Sequence, residues 1–318
     1  MQRTDIILQS INRNGLGIEI GPSHSPIAAK RDGFDVHVID HMSREGLVDK
    51  YQDHGVDLDA IEEVDFVWKG GSYTDLVGQR NHYDWIIASH LIEHTTDLIG
   101  FLNDCADLLK DDGVLSLAVP DKRYCFDHFR PITPLSRIID THFNQERVHT
   151  AGVVAEYFLN VVKKNGQIAW NDNDRGTFEF VHTLDDARNG MESVRKNGAY
   201  LDVHAWCFVP SSFRLIIHDL HALGLIPLKE VSFHPTAGFE FFVTLSKRGT
   251  DTPAMSRMDL LQAIDQEIVY GIGKHRTAVS ASSADPSPTT GTNTSAAISK
   301  RSVRLATRIR NKMSRLLR

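Results

Sequence analysis

Cysteine is scarce in this chain. The 318 residues hold three, Cys105, Cys125 and Cys207. They are far apart, odd in number and outside any CxxC spacing, which excludes a disulfide framework or a zinc ribbon and points to a reducing compartment. No apolar run approaches the roughly 20 residues of a membrane span. The apolar core of residues 1–10 is too short for a signal peptide. The reading is a cytoplasmic protein. Acidic groups are missing from residues 300–318, which carry eight Lys/Arg and no Asp/Glu, so the other 299 residues hold 27 basic against 41 acidic groups, a net of −14. Such a body is a poor nucleic-acid binder, because duplex affinity rests on cationic contacts to phosphate. Apolar content of 41% and charged content of 24% are those of a soluble globular protein. The length suits one large domain with an insertion or two small ones.

What is there is an alternation of strands and helices. Residues 1–16 read as an amphipathic helix. Ile18 and Ile20 lie in a first strand that ends at Gly21, and a helix is expected to begin over Pro26 to Lys30. Phe34 to Asp40 alternates and ends in an acid, Val64 to Trp68 is a third strand, and Trp85 to Ser89 is a fourth. Leu98, Phe101, Leu102, Cys105, Leu108 and Leu109 have helical spacing, and Val114 to Pro120 is a fifth strand. Residues 121–205 break the alternation and read as an inserted cap, with helical stretches at Pro134–Phe143 and Gly152–Lys164. Pro210 to Leu223 is a helix ended by Gly224. Two last strands, Ile226–Phe233 and Phe239–Ser246, form an antiparallel hairpin, and Met255 to Tyr270 offers one more helix. The expectation is an α/β fold: a doubly wound, mostly parallel seven-stranded sheet with a terminal antiparallel hairpin, and a cap between strands 5 and 6.

Two segments carry the functional signal, Gly17-Ile-Glu-Ile-Gly-Pro-Ser-His24 and Tyr83-Asp-Trp-Ile-Ile-Ala-Ser-His-Leu-Ile-Glu-His94. Each is an apolar run that stops in small, polar or charged residues, as buried parallel strands do at the carboxyl edge where open α/β sheets bind ligands. Gly21 suits a turn that the ligand approaches closely. Asp40, 19 residues later, is placed to accept both hydroxyls of a ribose.

Together these segments resemble the class I S-adenosylmethionine (SAM)-dependent methyltransferases. The stretch from Asp84 to Val119-Pro-Asp-Lys-Arg-Tyr124 resembles the methyltransferase-type-11-like branch associated with bacterial surface-polysaccharide assembly. The resemblance implies a Rossmann-like fold over residues 1–275, SAM as cofactor, and cofactor contacts from Glu19, Gly21, Pro22, Ser23, Asp40, Ser89 and His90. It also implies an adenine-contacting acid after the third strand, where Asp65 and Asp75 both stand. The chain departs from the pattern in its loop, where Pro22, Ser23, His24 and Ser25 replace further glycines.

A sugar hydroxyl needs a general base, and the strand ends offer His90, His94 and Asp121 as catalytic candidates. The Glu93-His94 pair also fits a brace for the loop beside the cofactor, and Asp121 a turn cap. The run His90-x-x-Glu93-His94 puts three possible ligands at i, i+3 and i+4. Small-RNA methyltransferases have a similar metal-binding run, with a leading Glu and a later His. Here a His leads and the body is acidic, so no metal is expected. In the cap, Lys122, Arg123, Arg130, Tyr124 and Phe126 suit a sugar acceptor, with an internal Asp127–Arg130 ion pair as the plain alternative. Trp170 to Arg175 reads as a polar, carbohydrate-facing loop.

Residues 276–299 form a Ser/Thr-rich linker; 11 of the 23 residues from Thr277 to Ser299 are Ser or Thr. Beyond it, Val303, Leu305, Ala306, Ile309, Met313, Leu316 and Leu317 fall on one helical arc of about 160°. This basic amphipathic helix, 300–318, suits an anionic membrane surface or a partner's groove, such as that of a glycosyltransferase. The expected function is O-methylation of a glycan or lipid-linked glycan in surface-polysaccharide biosynthesis, peripheral on the inner face of the cytoplasmic membrane. Two other readings stand beside it: a methyltransferase for a small-molecule or quinone-like acceptor, and a non-catalytic SAM-fold scaffold.

Overall fold

The computed structural model describes residues 2–171, 174–249 and 255–281. Nine strands and nine α-helices alternate over this span: α1 (Arg3–Leu8), β1 (Gly17–Ile20), β2 (Val36–Asp40), α2 (Arg44–Tyr51), β3 (Phe66–Val67), α3 (Tyr73–Val77), β4 (Tyr83–Ser89), α4 (Leu98–Leu108), β5 (Leu109–Pro120), α5 (Leu135–Phe143), α6 (Ala151–Asn160), β6 (Val162–Lys164), β7 (Phe178–Phe180), α7 (Leu184–Asn197), α8 (Pro210–Ala222), β8 (Lys229–Ala237), β9 (Glu240–Ser246) and α9 (Arg257–Ala281). Seven strands form one sheet in the order β3-β2-β1-β4-β5-β9-β8. β1 to β5 pair in parallel, while β9 is antiparallel to both β5 and β8. This is the expected doubly wound sheet closed by an antiparallel hairpin. A separate hairpin, β6 with β7, lies in the segment between β5 and α8.

Trp85, Ile86 and Ile87 of β4 are fully buried, which requires cover on both sheet faces. Each such side chain contributes about 1.5–3 kcal/mol through burial. One face packs against α4 and α8: Leu98, Phe101, Leu102, Cys105 and Leu108 join Phe213, Ile216, Ile217 and Leu220 in one core. That core continues into the inserted segment through Ile138, Val154, Tyr157 and Trp206. The opposite face is covered by Ile6, Ile7, Ile27, Ala28 and Phe34 over Val36, Trp85 and Ile87.

Local details differ from the sequence expectations. No α-helix follows β1. Residues 22–29 are turn, bend and irregular loop, and only a 3₁₀ turn forms at Lys30–Asp32. Pro22 and Pro26 lack N–H donors, and buried Glu19 takes the backbone N–H groups of Ile27 and Ala28 at 2.8–3.0 Å. The first helix ends at Leu8 rather than reaching residue 16. The fifth strand begins at Leu109, directly after α4. The last helix continues to Ala281, so the start of the expected linker is helical. The remainder of that linker and the basic helix at 300–318 lie outside the described residues. Within them, no helix is long and apolar enough to cross a membrane.

Candidate active site

The carboxyl ends of β1, β2 and β4 open into a cavity of about 1260 Å³. Gly21, Pro22 and Ser23 line it from β1, Asp40 and His41 from β2, and Ser89 and His90 from β4. Trp68 and Tyr73 line it beyond β3, and Tyr157, Asp202 and His204 from the insertion.

The β1 turn is built around Asp40. Gly21 has φ of 68° and Ser23 of 56°, so the chain folds back through left-handed backbone that glycine adopts without strain. A Cβ on Gly21 would stand 3.1 Å from Leu91 Cδ1. Asp40 is buried, and its Oδ2 accepts from Ser23 N at 2.9 Å. Its Oδ1 accepts from His41 N at 2.7 Å and meets His41 Nδ1 at 2.5 Å. Lys50 Nζ lies 2.8 Å from the other nitrogen of that ring. A carboxylate has about four acceptor sites, so these three contacts leave room for a hydroxyl. Ser23 Oγ donates to Tyr51 OH at 2.8 Å, which ties the turn to α2. Glu19 lines the same cavity, with its oxygens on Ile27 and Ala28, so it shapes the turn from below.

Trp68 stacks on Tyr73, with centroids 5.4 Å apart and planes at 11°, and gives the cavity a flat aromatic wall. Neither Asp65 nor Asp75 lines it. Asp65 accepts from Val38 N and pairs with Lys30, and Asp75 stands exposed in the first turn of α3. Asp97 and Asp104 line it instead.

At the end of β4, His90 has φ of 50°, a conformation uncommon outside glycine. Its Nε2 lies 2.8 Å from Glu240 Oε2. Arg3 Nε donates to Glu240 Oε1 at 2.6 Å, and an Arg3 terminal nitrogen donates to Ser89 Oγ at 2.6 Å. Burial alone would raise the Glu240 pKa, but Arg3 and His90 outweigh it and hold the carboxyl down at about 2. An ionised carboxylate only accepts hydrogen bonds. Nε2 of His90 therefore carries a hydrogen, and Nδ1 faces the Glu93 carboxylate at 3.7 Å.

The run from Ile92 to His94 is a 3₁₀ turn, and α4 starts only at Leu98. It drives the Glu93 side chain wholly into the interior, where neither carboxylate oxygen has a hydrogen-bond partner. His94 Nδ1 lies 2.7 Å from Asp202 Oδ1, and His204 Nδ1 lies 2.5 Å from Asp127 Oδ2. Burial acts to raise the Asp127 pKa, but His204 and Arg130 hold it well below the usual carboxylate range. The ionised Asp127 accepts a hydrogen bond from His204 Nδ1.

Asp121 does not reach the cavity. It is fully buried, and its oxygens take Arg123 N, Nε and a terminal nitrogen at 2.6–3.2 Å and Thr236 Oγ1 at 2.7 Å. It braces the exit of β5, as the turn-cap alternative describes. Lys122 Nζ donates to His128 O, and Arg130 is buried against Asp127 at 2.9 Å and Glu156 at 3.0 Å. Those cations and Arg123 are bound internally; of the cap residues expected to meet a sugar, Phe126 lines the cavity. Trp170 is buried with its Nε1 on Arg123 O, and residues 172 and 173 of its loop lie outside the described residues.

Sequence reading missed Arg3, Glu240 and Asp202; His204 stood among the cap histidines that the sequence offers as possible bases, beside His128, His142, His149 and His182. Glu240 had a visible signal, a lone acid opening the apolar run Phe241-Phe-Val243. Arg3 had none, because only the tertiary fold carries α1 to the end of β4.

The donors present suit SAM. A positive-φ turn at Gly21 admits close approach, the Asp40 carboxylate suits a ribose diol, and Trp68 offers a face for a purine. A family model described as a methyltransferase domain matches residues 5–183. No curated protein matches the chain. Solved structures are similar to the chain at low identity. The CcbJ methyltransferase from Streptomyces caelestis is 11% identical over 77% of this chain and 96% of that one, with a TM-score of 0.39. A SAM-dependent methyltransferase from Aquifex aeolicus is 9% identical over 76% and 88%, with a TM-score of 0.38. A protein from Rhodobacter sphaeroides titled as putative Zn-dependent alcohol dehydrogenases is 15% identical over 77% and 89%, with a TM-score of 0.41. Scores this low are likenesses only, and the assignment rests on the family match and the site. By that match the chain belongs to the methyltransferase-domain family, and its cofactor is SAM.

Proposed function

We propose that this methyltransferase transfers a methyl group to a hydroxyl of a glycan or lipid-linked glycan, as part of surface-polysaccharide assembly. The observation that carries this reading is the polar wall that the insertion gives the cavity: Gln145, Glu146, Arg147, Asp202 and His204 line it beside Tyr157 and Tyr200. A quinone-like acceptor calls for an apolar wall, whereas a hydroxyl-rich one calls for scattered donors and acceptors around aromatic faces.

When bound, SAM supplies a methyl group already activated by its cationic sulfur, so the chain's share of the work is positioning and proton handling. Gly21, Pro22 and Ser23 form the turn that would lie against the cofactor, Asp40 would take a ribose hydroxyl and Trp68 the adenine. His90 holds a hydrogen on Nε2 toward Glu240, and Nδ1 would accept the proton of the acceptor hydroxyl. Arg3 keeps Glu240 ionised and so keeps that tautomer in place. The basic segment 300–318 would hold the enzyme at the anionic inner face of the membrane, where lipid-linked precursors lie, or against a glycosyltransferase.

The test begins with calorimetric titration of the full chain with SAM and S-adenosylhomocysteine. Labelled methyl donor is then offered with lipid-linked glycans on one side and quinone-like phenols on the other. Methyl incorporated into glycan supports the proposal. Incorporation into the phenols alone replaces its acceptor, and folded protein that binds neither cofactor form sinks the enzyme reading in favour of a scaffold.

A further inference from the structure

Three histidines surround Glu93. Nδ1 of His90, Nε2 of His94 and Nε2 of His204 lie 3.7, 4.0 and 3.9 Å from its Oε1. In each ring the other nitrogen is held by a different carboxylate, from Glu240, Asp202 and Asp127. The described residues hold one group of potential metal ligands in mutual reach: Glu93, His94 and His204, with ligand atoms all within 4.8 Å of one another. The two rings meet edge to face at a centroid separation of 4.5 Å. All three residues line the cavity.

We propose that Glu93, His94 and His204 bind a divalent transition-metal ion of the zinc class. Two observations on different atoms support this. The Glu93 carboxylate is completely buried without a hydrogen bond, an arrangement that costs heavily unless a cation compensates it. Asp202 and Asp127 accept from Nδ1 of the two rings, which turns each Nε2 toward that same carboxylate. A carboxylate behind each imidazole is the outer shell that orients and strengthens histidine ligands. Nitrogen and oxygen donors in this mixture suit zinc, cobalt, iron or manganese rather than calcium or magnesium. Ligand bonds of about 2.0–2.2 Å put tetrahedral neighbours about 3.4 Å apart, so each imidazole needs to close on Glu93 by about half an ångström, and the two imidazoles on each other by at most about 1.4 Å. With three protein ligands, a four-coordinate ion keeps one position open. That position suits an oxygen of the acceptor, a consequence that rests on the methyltransferase reading; the site itself does not. His90 stands beside the group rather than in it, already bound to Glu240.

The experiment uses the full chain, stripped with chelator and titrated with cobalt(II), reading the visible d–d bands without SAM or acceptor. Elemental analysis gives the stoichiometry, and zinc is added to displace cobalt. The expected result is one ion per chain with intense four- or five-coordinate bands that zinc abolishes. Glu93→Gln and His204→Gln should each weaken cobalt binding at least about 100-fold, and Asp202→Asn about 10–100-fold. Each variant is checked by near-ultraviolet circular dichroism and S-adenosylhomocysteine binding; Asp202→Asn, half-exposed at its side chain, keeps the test open if a buried variant misfolds. Absence of stoichiometric cobalt overturns the proposal and leaves the cluster a network held by protons. Cobalt binding undiminished in the folded variants overturns it equally, by moving the ion to other histidines. Neither result touches the methyltransferase reading, because cofactor binding is measured separately.

Discussion

Two buried carboxylates line one cavity and are treated oppositely by the fold. Asp40, at the end of β2, is met by Ser23 N, His41 N and His41 Nδ1. Glu93, past the end of β4, is met by no donor within hydrogen-bonding distance. Asp40 is the finished part of the site, held in place before a ligand arrives, so an incoming hydroxyl finds an oriented acceptor at little reorganisation cost. Glu93 is surrounded by imidazole nitrogens that stop 3.7–4.0 Å short. Burial alone therefore does not identify a cofactor contact. What a buried acid lacks is as informative as what it touches.

His90 stands between the two regions and gives the largest expected effect. His90→Ala removes the proposed proton acceptor while leaving Asp40 and its three contacts in place. The methyl-transfer rate should fall about 10²–10⁴-fold, the usual worth of a general base. S-adenosylhomocysteine affinity, measured by calorimetry, should change by less than about threefold, well under 1 kcal/mol. Equal losses of rate and affinity would show that the two regions are not separable and would break the comparison.

Asp40→Asn comes next. The amide keeps one oxygen but turns an NH₂ toward donors that already point inward, leaving one of them unpaired. Hydrogen bonds to a charged group are worth about 1.5–3 kcal/mol each, so cofactor affinity should fall about 10–100-fold. Ser72→Ala should do less. Ser72 Oγ caps α3 through Thr74 N and Asp75 N and donates to Asp104 at 2.6 Å, beside the Trp68 wall. Its loss should lower stability by about 1 kcal/mol in a denaturant titration, with a smaller effect on affinity.

The legible part of the molecule was the part made of local pattern. Buried strands such as Trp85-Ile-Ile87 and the face of α4 announce themselves by run and period, and the hairpin by two apolar runs around a turn. Asp40 was legible because a strand end dictates where it sits. The missing helix after β1 was not, because Glu19 captures the backbone of Ile27 and Ala28 across the turn, a contact that no spacing encodes. Asp121 shows the same limit. Its position at a strand end matched a catalytic acid, yet Arg123 and Thr236 fill its oxygens. The Glu93 cluster needed residues separated by more than 100 positions, His94 with Asp202 and His204 with Glu93, brought together by the insertion. Sequence could name the run His90 to His94 and the cap histidines one by one, but only the fold brings His204 against Glu93 and His94.

The smallest effect is the most pointed, because its sign reverses. In metal-free protein, Glu93→Gln removes a buried charge that has no hydrogen bond and keeps nearly the same volume. Replacing a buried ion with a neutral group of similar size is often neutral or stabilising. The midpoint of thermal unfolding should therefore stay level or rise, by no more than about 1 kcal/mol in stability. Asp40→Asn should lower it under the same conditions, since it breaks contacts that exist. Zinc should then raise the midpoint of the unmodified protein and leave Glu93→Gln unmoved, because an ion that binds only the folded state stabilises it by mass action. A fall in stability on Glu93→Gln without metal would mean that the carboxylate is already compensated, by an imidazolium, and that the two acids differ in geometry but not in kind.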